Sequence, residues 1–156
     1  IDGTNGNDPS LRPNQLFAAS LSDSPLDPAW QRAVVDSCTE QLLTPMGLRT
    51  LAPFEPGYQG RYGGGPAQRD GAYHQGTVWP WLIGPYAFAH LRVYNDPATI
   101  RRLIGPLIAH LMNHGTVTEC AEGDPPHEPR AAIAQAWSVA ELLRVWRRVG
   151  TGQVSE

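Results

Sequence analysis

Between Arg69 and Tyr86 the chain sets an arginine, an aspartate, a histidine, a glutamine, a threonine, two tryptophans and two tyrosines among glycines and prolines. Glycine and proline cost too much inside a helix for this to be an ordinary amphipathic one. The aromatics are too many for a solvated linker. Hydrogen-bonding side chains beside flat apolar faces suit a sugar ring, whose hydroxyls need donors and acceptors and whose C–H face needs an aromatic. The plainer alternative is a loop that buries its tryptophans in a core and caps helix ends with its polar groups; the number and variety of polar residues favour the site. Tyr73, His74, Gln75 and Trp79 are the best sugar contacts in the segment. His74 suits a hydroxyl donor better than an acid or base. Asp70 follows Arg69, and the two are expected to line the pocket, with Asp70 as half of an ion pair that shapes it.

Candidates outside the segment are fewer. Glu119 stands just before the loop Gly123-Asp124-Pro125-Pro126, where a carboxylate is catalytic, solvated or a cap to a neighbouring helix. Arg12, Asn14 and Gln15 head a helix as binding groups, with a structural ion pair as the equal alternative for Arg12. Gln135 and Trp137 are two residues apart and cannot share a helix face, so at most one of them lines a cavity closely. Asp124 is expected to fix a turn. His90, His110, His114 and the cluster from Arg144 to Arg148 read as solvated helix surface.

The elements that must position these residues are helical. Pro13 opens a helix that Asn14 to Leu21 continue. Asp27-Pro28 caps a second, with Trp30, Ala33, Val34, Cys38, Gln41 and Leu42 at helical spacing, and Thr44-Pro45 stops it. From Gly47 to Gly76 the chain reads as loop, including Gly63-Gly64-Gly65-Pro66. A helix is expected over Trp81 to Val93, where Gly84-Pro85 implies a kink or a close approach by a neighbour. Asp96-Pro97 starts the next, which Gly115 ends, and the last covers roughly Ala131 to Val149. The Trp81 and Ala131 helices are apolar on more sides than the two Asp-Pro helices, which suggests inner and outer layers. No segment sustains period-2 alternation, so strands are at most short loop pairings. The fold class is all-α, helix packed on helix.

Composition removes several function classes. All 12 basic residues are arginines, which leaves no lysine for a Schiff base, a phosphate loop or a polylysine membrane patch. A net charge of -3 gives no footprint for nucleic acid. No apolar run is long enough to cross a membrane. Cys38 and Cys120 fit no metal or redox spacing, and with no signal peptide a cytoplasmic location with two buried thiols is the expectation. The chain opens at Ile1 in what looks like mid-loop, which suggests a piece of something longer.

Four segments in order carry a family resemblance: Leu11-Arg-Pro-Asn-Gln-Leu-Phe-Ala-Ala-Ser-Leu21, Leu43-Thr-Pro-Met-Gly-Leu-Arg-Thr-Leu51, Arg69 to Tyr86, and Gln135-Ala-Trp-Ser-Val-Ala-Glu-Leu-Leu-Arg144, the last preceded by the acidic loop Glu119 to His127. From Asp2 to Val149 the chain resembles the C-terminal amylo-α-1,6-glucosidase domain of glycogen debranching enzymes. The resemblance implies an (α/α)6 toroid, of which this chain holds about the second half. It implies inverting hydrolysis of α-1,6-linked glucosyl residues on glycogen or a branched α-glucan, with no metal and no cofactor. Glu119 then occupies the position of the general base, and the general acid lies upstream, in the other half of the same enzyme. Ala131-Ala132 stands where relatives tend to show Gly-Cys, which bears on close helix packing there.

Two rivals fit the same residues. One is another (α/α)6 glycosidase, trehalase-like or glucoamylase-like. The other is a non-catalytic carbohydrate-binding or scaffold module. A half-toroid also exposes helix faces carrying Leu16, Phe17, Ile133, Leu142 and Trp146, through which a homodimer would form.

Overall fold

Both Asp-Pro pairs start helices. The Asp27 carboxylate accepts the Ala29 N–H at 2.9 Å and the Asp96 carboxylate accepts that of Thr99 at 3.0 Å, each satisfying a donor that the first helical turn leaves free. The computed structural model describes residues 2–3 and 6–150. Its elements are β1 (Asp2–Gly3), β2 (Gly6–Asn7), α1 (Gln15–Ser20), α2 (Pro28–Gln41), β3 (Leu43–Thr44), β4 (Gly47–Arg49), α3 (Pro66–Ala72), β5 (Val78–Trp79), α4 (Ile83–Tyr94), α5 (Pro97–His114), β6 (Cys120–Ala121), β7 (Pro129–Arg130) and α6 (Ala136–Gly150). A 3₁₀ turn over Pro80–Leu82 leads into α4.

The chain is about half helical, and it also builds a small antiparallel sheet in the order β3-β4-β5-β6-β7. The expected short loop pairings are thus linked into one five-stranded sheet. Leu48 pairs with Trp79, Val78 with Ala121, and Cys120 with Arg130. The sheet therefore brings the Trp79 segment and the Glu119 segment side by side.

Helix α4 sits at the centre and packs against α1, α2, α5 and α6. Ile83, Tyr86, Ala87, Ala89 and His90 are all buried on it. Around them lie Leu16, Val35, Leu42, Ile100, Ile104, Leu107, Leu142 and Val145, each fully or nearly fully buried. Burying one such aliphatic side chain is worth about 1.5–3 kcal/mol, so this cluster dominates the stability of the fold. Pro85 falls in the first turn of α4, where a missing N–H breaks nothing. Gly84 marks the close approach: a Cβ there would stand 1.6 Å from Glu141 Oε2 on α6.

Four expectations change. Pro66 starts a helix inside the stretch read as loop, with Gly65 ahead of it donating its N–H to Gln68 Oε1 at 2.7 Å. The last helix begins at Ala136 rather than at Ala131, because the chain before it pairs with the Val117–Glu119 stretch: Ala132 O accepts Glu119 N–H and Val117 O accepts Gln135 N–H, both at 2.9 Å. That leaves Ile133 79% exposed and makes α6 one-faced, with Ser138, Leu142, Val145 and Val149 inward and Leu143 and Trp146 half-exposed outward. Leu16 and Leu142 are core residues rather than edge residues, whereas Phe17 is exposed. His90 is buried among the rings of Tyr86 and Tyr94 and is not surface. No helix among the described residues is long and apolar enough to cross a membrane.

Candidate active site

Glu119 lies between the left-handed Gly115 cap of α5 and strand β6, half-buried. Its carboxylate is held at both oxygens. Oε1 accepts the Tyr73 hydroxyl, and Oε2 accepts the Ala132 N–H at 3.0 Å. Burial of the phenol, and then its hydrogen bond to Glu119, raises the Tyr73 pKa far above that of a free tyrosine, so the hydroxyl stays protonated and donates. The chain thus presents a carboxylate fixed by a neutral donor and a backbone amide.

Tyr73 caps α3 and is itself fixed from behind, since its carbonyl accepts Trp79 Nε1–H at 3.0 Å. Its ring meets Trp79 edge-on at 4.7 Å, and His74 stacks on Trp79 at 5.5 Å. Trp79 then meets Trp137 at 6.0 Å, and Trp137 stacks on Trp81 at 5.1 Å. These contacts make a continuous aromatic wall from Tyr73 to Trp81. A cavity of about 330 Å³ lies against it, lined by Arg12, Pro13, Asn14, Thr50, His74, Trp79, Trp81, Leu82 and Trp137. That is at the small end of the roughly 300–1,000 Å³ of ligand pockets.

The structure distributes the sequence candidates unevenly. Arg12, Asn14, His74, Trp79 and Trp137 line the cavity, whereas Tyr73 and the expected base Glu119 stand outside its lining, behind Trp79. Arg12 also pins the loop beneath it, donating to His74 O at 2.8 Å, Thr50 O at 3.2 Å and Gln75 Oε1 at 3.0 Å. Gln75 is engaged there and does not line this cavity. Gln15 turns to the Arg12 carbonyl at 3.1 Å and the Cys38 thiol at 3.7 Å. Burial pushes that thiol up to about 12, so it is a neutral core group. Of the Gln135 and Trp137 pair, Trp137 alone lines the cavity. Arg69 donates to Gly64 O at 3.0 Å, Asp70 is exposed on α3, and the expected ion pair does not form among the described residues. Adjacent helical residues point apart, which is why it fails.

The other carboxylates of the acidic loop are occupied. Asp124 O accepts His127 N–H at 2.9 Å, which is the expected turn, and its side chain takes the Tyr58 hydroxyl at 3.0 Å. Glu122 is buried between Arg61 and Arg130. Thr50, Trp81, Glu122, Arg61 and Arg130 all escape the sequence-based choice of binding residues. Trp81 sits inside the aromatic segment and was in reach of it, whereas Arg61 meets Glu122 only through the tertiary fold.

The amylo-alpha-1,6-glucosidase family matches this chain over residues 1–144, a span that includes Tyr73, Glu119 and every residue lining the cavity. The chain is also similar to the glycogen debranching enzyme of Saccharomyces cerevisiae, with 33% identity over 98 residues. That stretch covers 58% of this chain and 6% of the yeast protein.

Proposed function

The chain belongs to the amylo-alpha-1,6-glucosidase family, and on that premise we propose that it carries the general base of an inverting hydrolase acting on α-1,6-linked glucosyl residues of a branched α-glucan such as glycogen. Inversion needs a carboxylate that takes a proton from water while an acid on the opposite face protonates the leaving oxygen, the two roughly 6.5–9.5 Å apart. Glu119 is the base. The observation that carries this assignment is its carboxylate, held at both oxygens and linked through Tyr73 to the aromatic wall of the cavity.

The cavity takes the sugar, with the Trp81 and Trp137 rings against its C–H face and Asn14 and His74 toward its hydroxyls. The acid comes from a part of the enzyme outside this chain. Glu122 and Asp124 are paired with other side chains, and Asp70 is exposed on α3. The helices form part of an (α/α)6 ring, with α4 as an inner helix. The neutral, buried thiols of Cys38 and Cys120 suit the reducing cytoplasm.

Product stereochemistry tests this reading. With the full-length protein and a branched limit dextrin, proton NMR during the first turnovers is expected to show β-glucose appearing before mutarotation. Release of α-glucose would mean retention and would overturn the inverting, single-displacement mechanism proposed for Glu119. Binding of the dextrin with no glucose release would make the chain part of a binding module instead.

A further inference from the structure

Among the described residues, Glu122 is a buried carboxylate that this mechanism does not use. Glu122 is 5% exposed and stands between two arginines. Arg61 Nη1 lies 2.5 Å from Oε2, while Arg130 Nη2 and Nε lie 2.9 Å and 3.1 Å from Oε1. Burying this carboxylate adds little net stability, because its desolvation offsets its attraction to two arginines that stay part-exposed. Its effect here is geometric. Glu122 follows β6 and Arg130 ends β7, so the pair ties the loop end of that hairpin, where Glu122 N–H also meets Glu128 O at 2.9 Å, to the last residue of β7. Arg61 ties the same hairpin to the loop before α3 and holds Pro125 O at 3.2 Å.

Immediately after Arg130 the backbone does something costly. Ala131 takes φ +58°, in the left-handed region. For a residue with a Cβ this costs about 1–2 kcal/mol, and such a conformation persists only where its surroundings over-determine it. Ala131-Ala132 lies ahead of α6, so its effect is on this turn and not on helix packing. The turn aims the Ala132 N–H at Glu119 Oε2, 3.0 Å away, while Ala132 O receives the Glu119 N–H at 2.9 Å. The Thr118 hydroxyl braces the same strand, 2.9 Å from Arg130 O and 3.1 Å from Ala132 O.

We infer that Glu122 is a positioning residue for Glu119: by anchoring Arg130 it holds the strained turn at Ala131, and with it the amide that orients the base. The inference rests on Glu119 as the general base. Glu122 touches neither sugar nor water in this scheme. Its removal therefore leaves the cavity intact and lets the base drift.

The test is steady-state kinetics of Glu122→Gln in the full-length protein, alone and combined with Glu119→Gln. A misplacement of about 1 Å can cost on the order of a hundredfold in rate, so kcat is expected to fall about ten- to a hundredfold while KM stays within about twofold. On the Glu119→Gln background the same change is expected to do nothing further, since there is no base left to orient. Glu122→Asp, which keeps the charge, is expected to recover part of the loss. Unchanged kcat in folded Glu122→Gln, KM rising in step with the loss, or the same loss on the Glu119→Gln background would each overturn the inference. So would a loss as deep as that of Glu119→Gln, which would make Glu122 a catalytic carboxylate. Should Glu122→Gln not fold, Arg61→Gln removes the more exposed partner, and the same kcat-only loss, smaller in size, is required of it. Full turnover in Glu119→Gln alone would instead sink the base assignment itself, an outcome separate from any result at Glu122.

Discussion

Tyr73 shows how a residue's type is legible while its role is not. The sequence marks it as a sugar contact, but the fold turns its hydroxyl onto Glu119 and its ring onto Trp79 and His74. A hydrogen bond to a charged group is worth about 1.5–3 kcal/mol, so Tyr73→Phe is expected to lower kcat/KM by roughly ten- to a hundredfold. The ring packing survives that change, which makes the variant a clean one. A raised KM with an unchanged kcat would return Tyr73 to the role of sugar contact. His74 and Trp79, by contrast, stay at the cavity where the sequence segment suggests they belong.

At the scale of elements, helices with strong punctuation are legible and short strands are not. Helices α2 and α5 follow from Asp-Pro starts and apolar spacing. The sheet does not, because strands of two or three residues are too short to show alternation. Helix α3 hides behind glycines, although a proline at the first helical position is a start signal. Ile133 extends the apolar period of α6 backwards into residues that pair as extended chain, which misplaces the helix start. Helix α4 carries its own pH dependence. Burial lowers the pKa of His90, against a smaller opposing pull from Asp96 and Asp36, and its Nδ1 has no hydrogen-bond partner among the described residues. A depressed histidine folds neutral, so stability is full above the unfolded value of about 6.5 and falls as pH drops through it, levelling below the folded pKa. Urea midpoints measured from pH 8 to 5 should show this decline, and His90→Leu should flatten it. Identical slopes in both proteins would mean that His90 protonates in place.

The whole molecule exposes what its parts leave uncovered. Phe17, Ile133, Leu143 and Trp146 are exposed, on or beside the two helices whose sequence predicts an edge. The ring that would cover them comes from the family resemblance, and neither spacing nor composition carries it. The chemistry is legible in the same divided way: the aromatic segment and Glu119 stand out as residues, whereas their meeting across β5 and β6 is a product of the fold. Everything proposed for the reaction converges on that one carboxylate. The direct measurement is turnover and dextrin affinity of Glu119→Gln in the full-length protein. Loss of a positioned general base predicts a fall of about 10²–10⁴-fold in kcat, with the dissociation constant for the branched dextrin nearly unchanged. Turnover equal to that of the unaltered protein would contradict the mechanism proposed for this site.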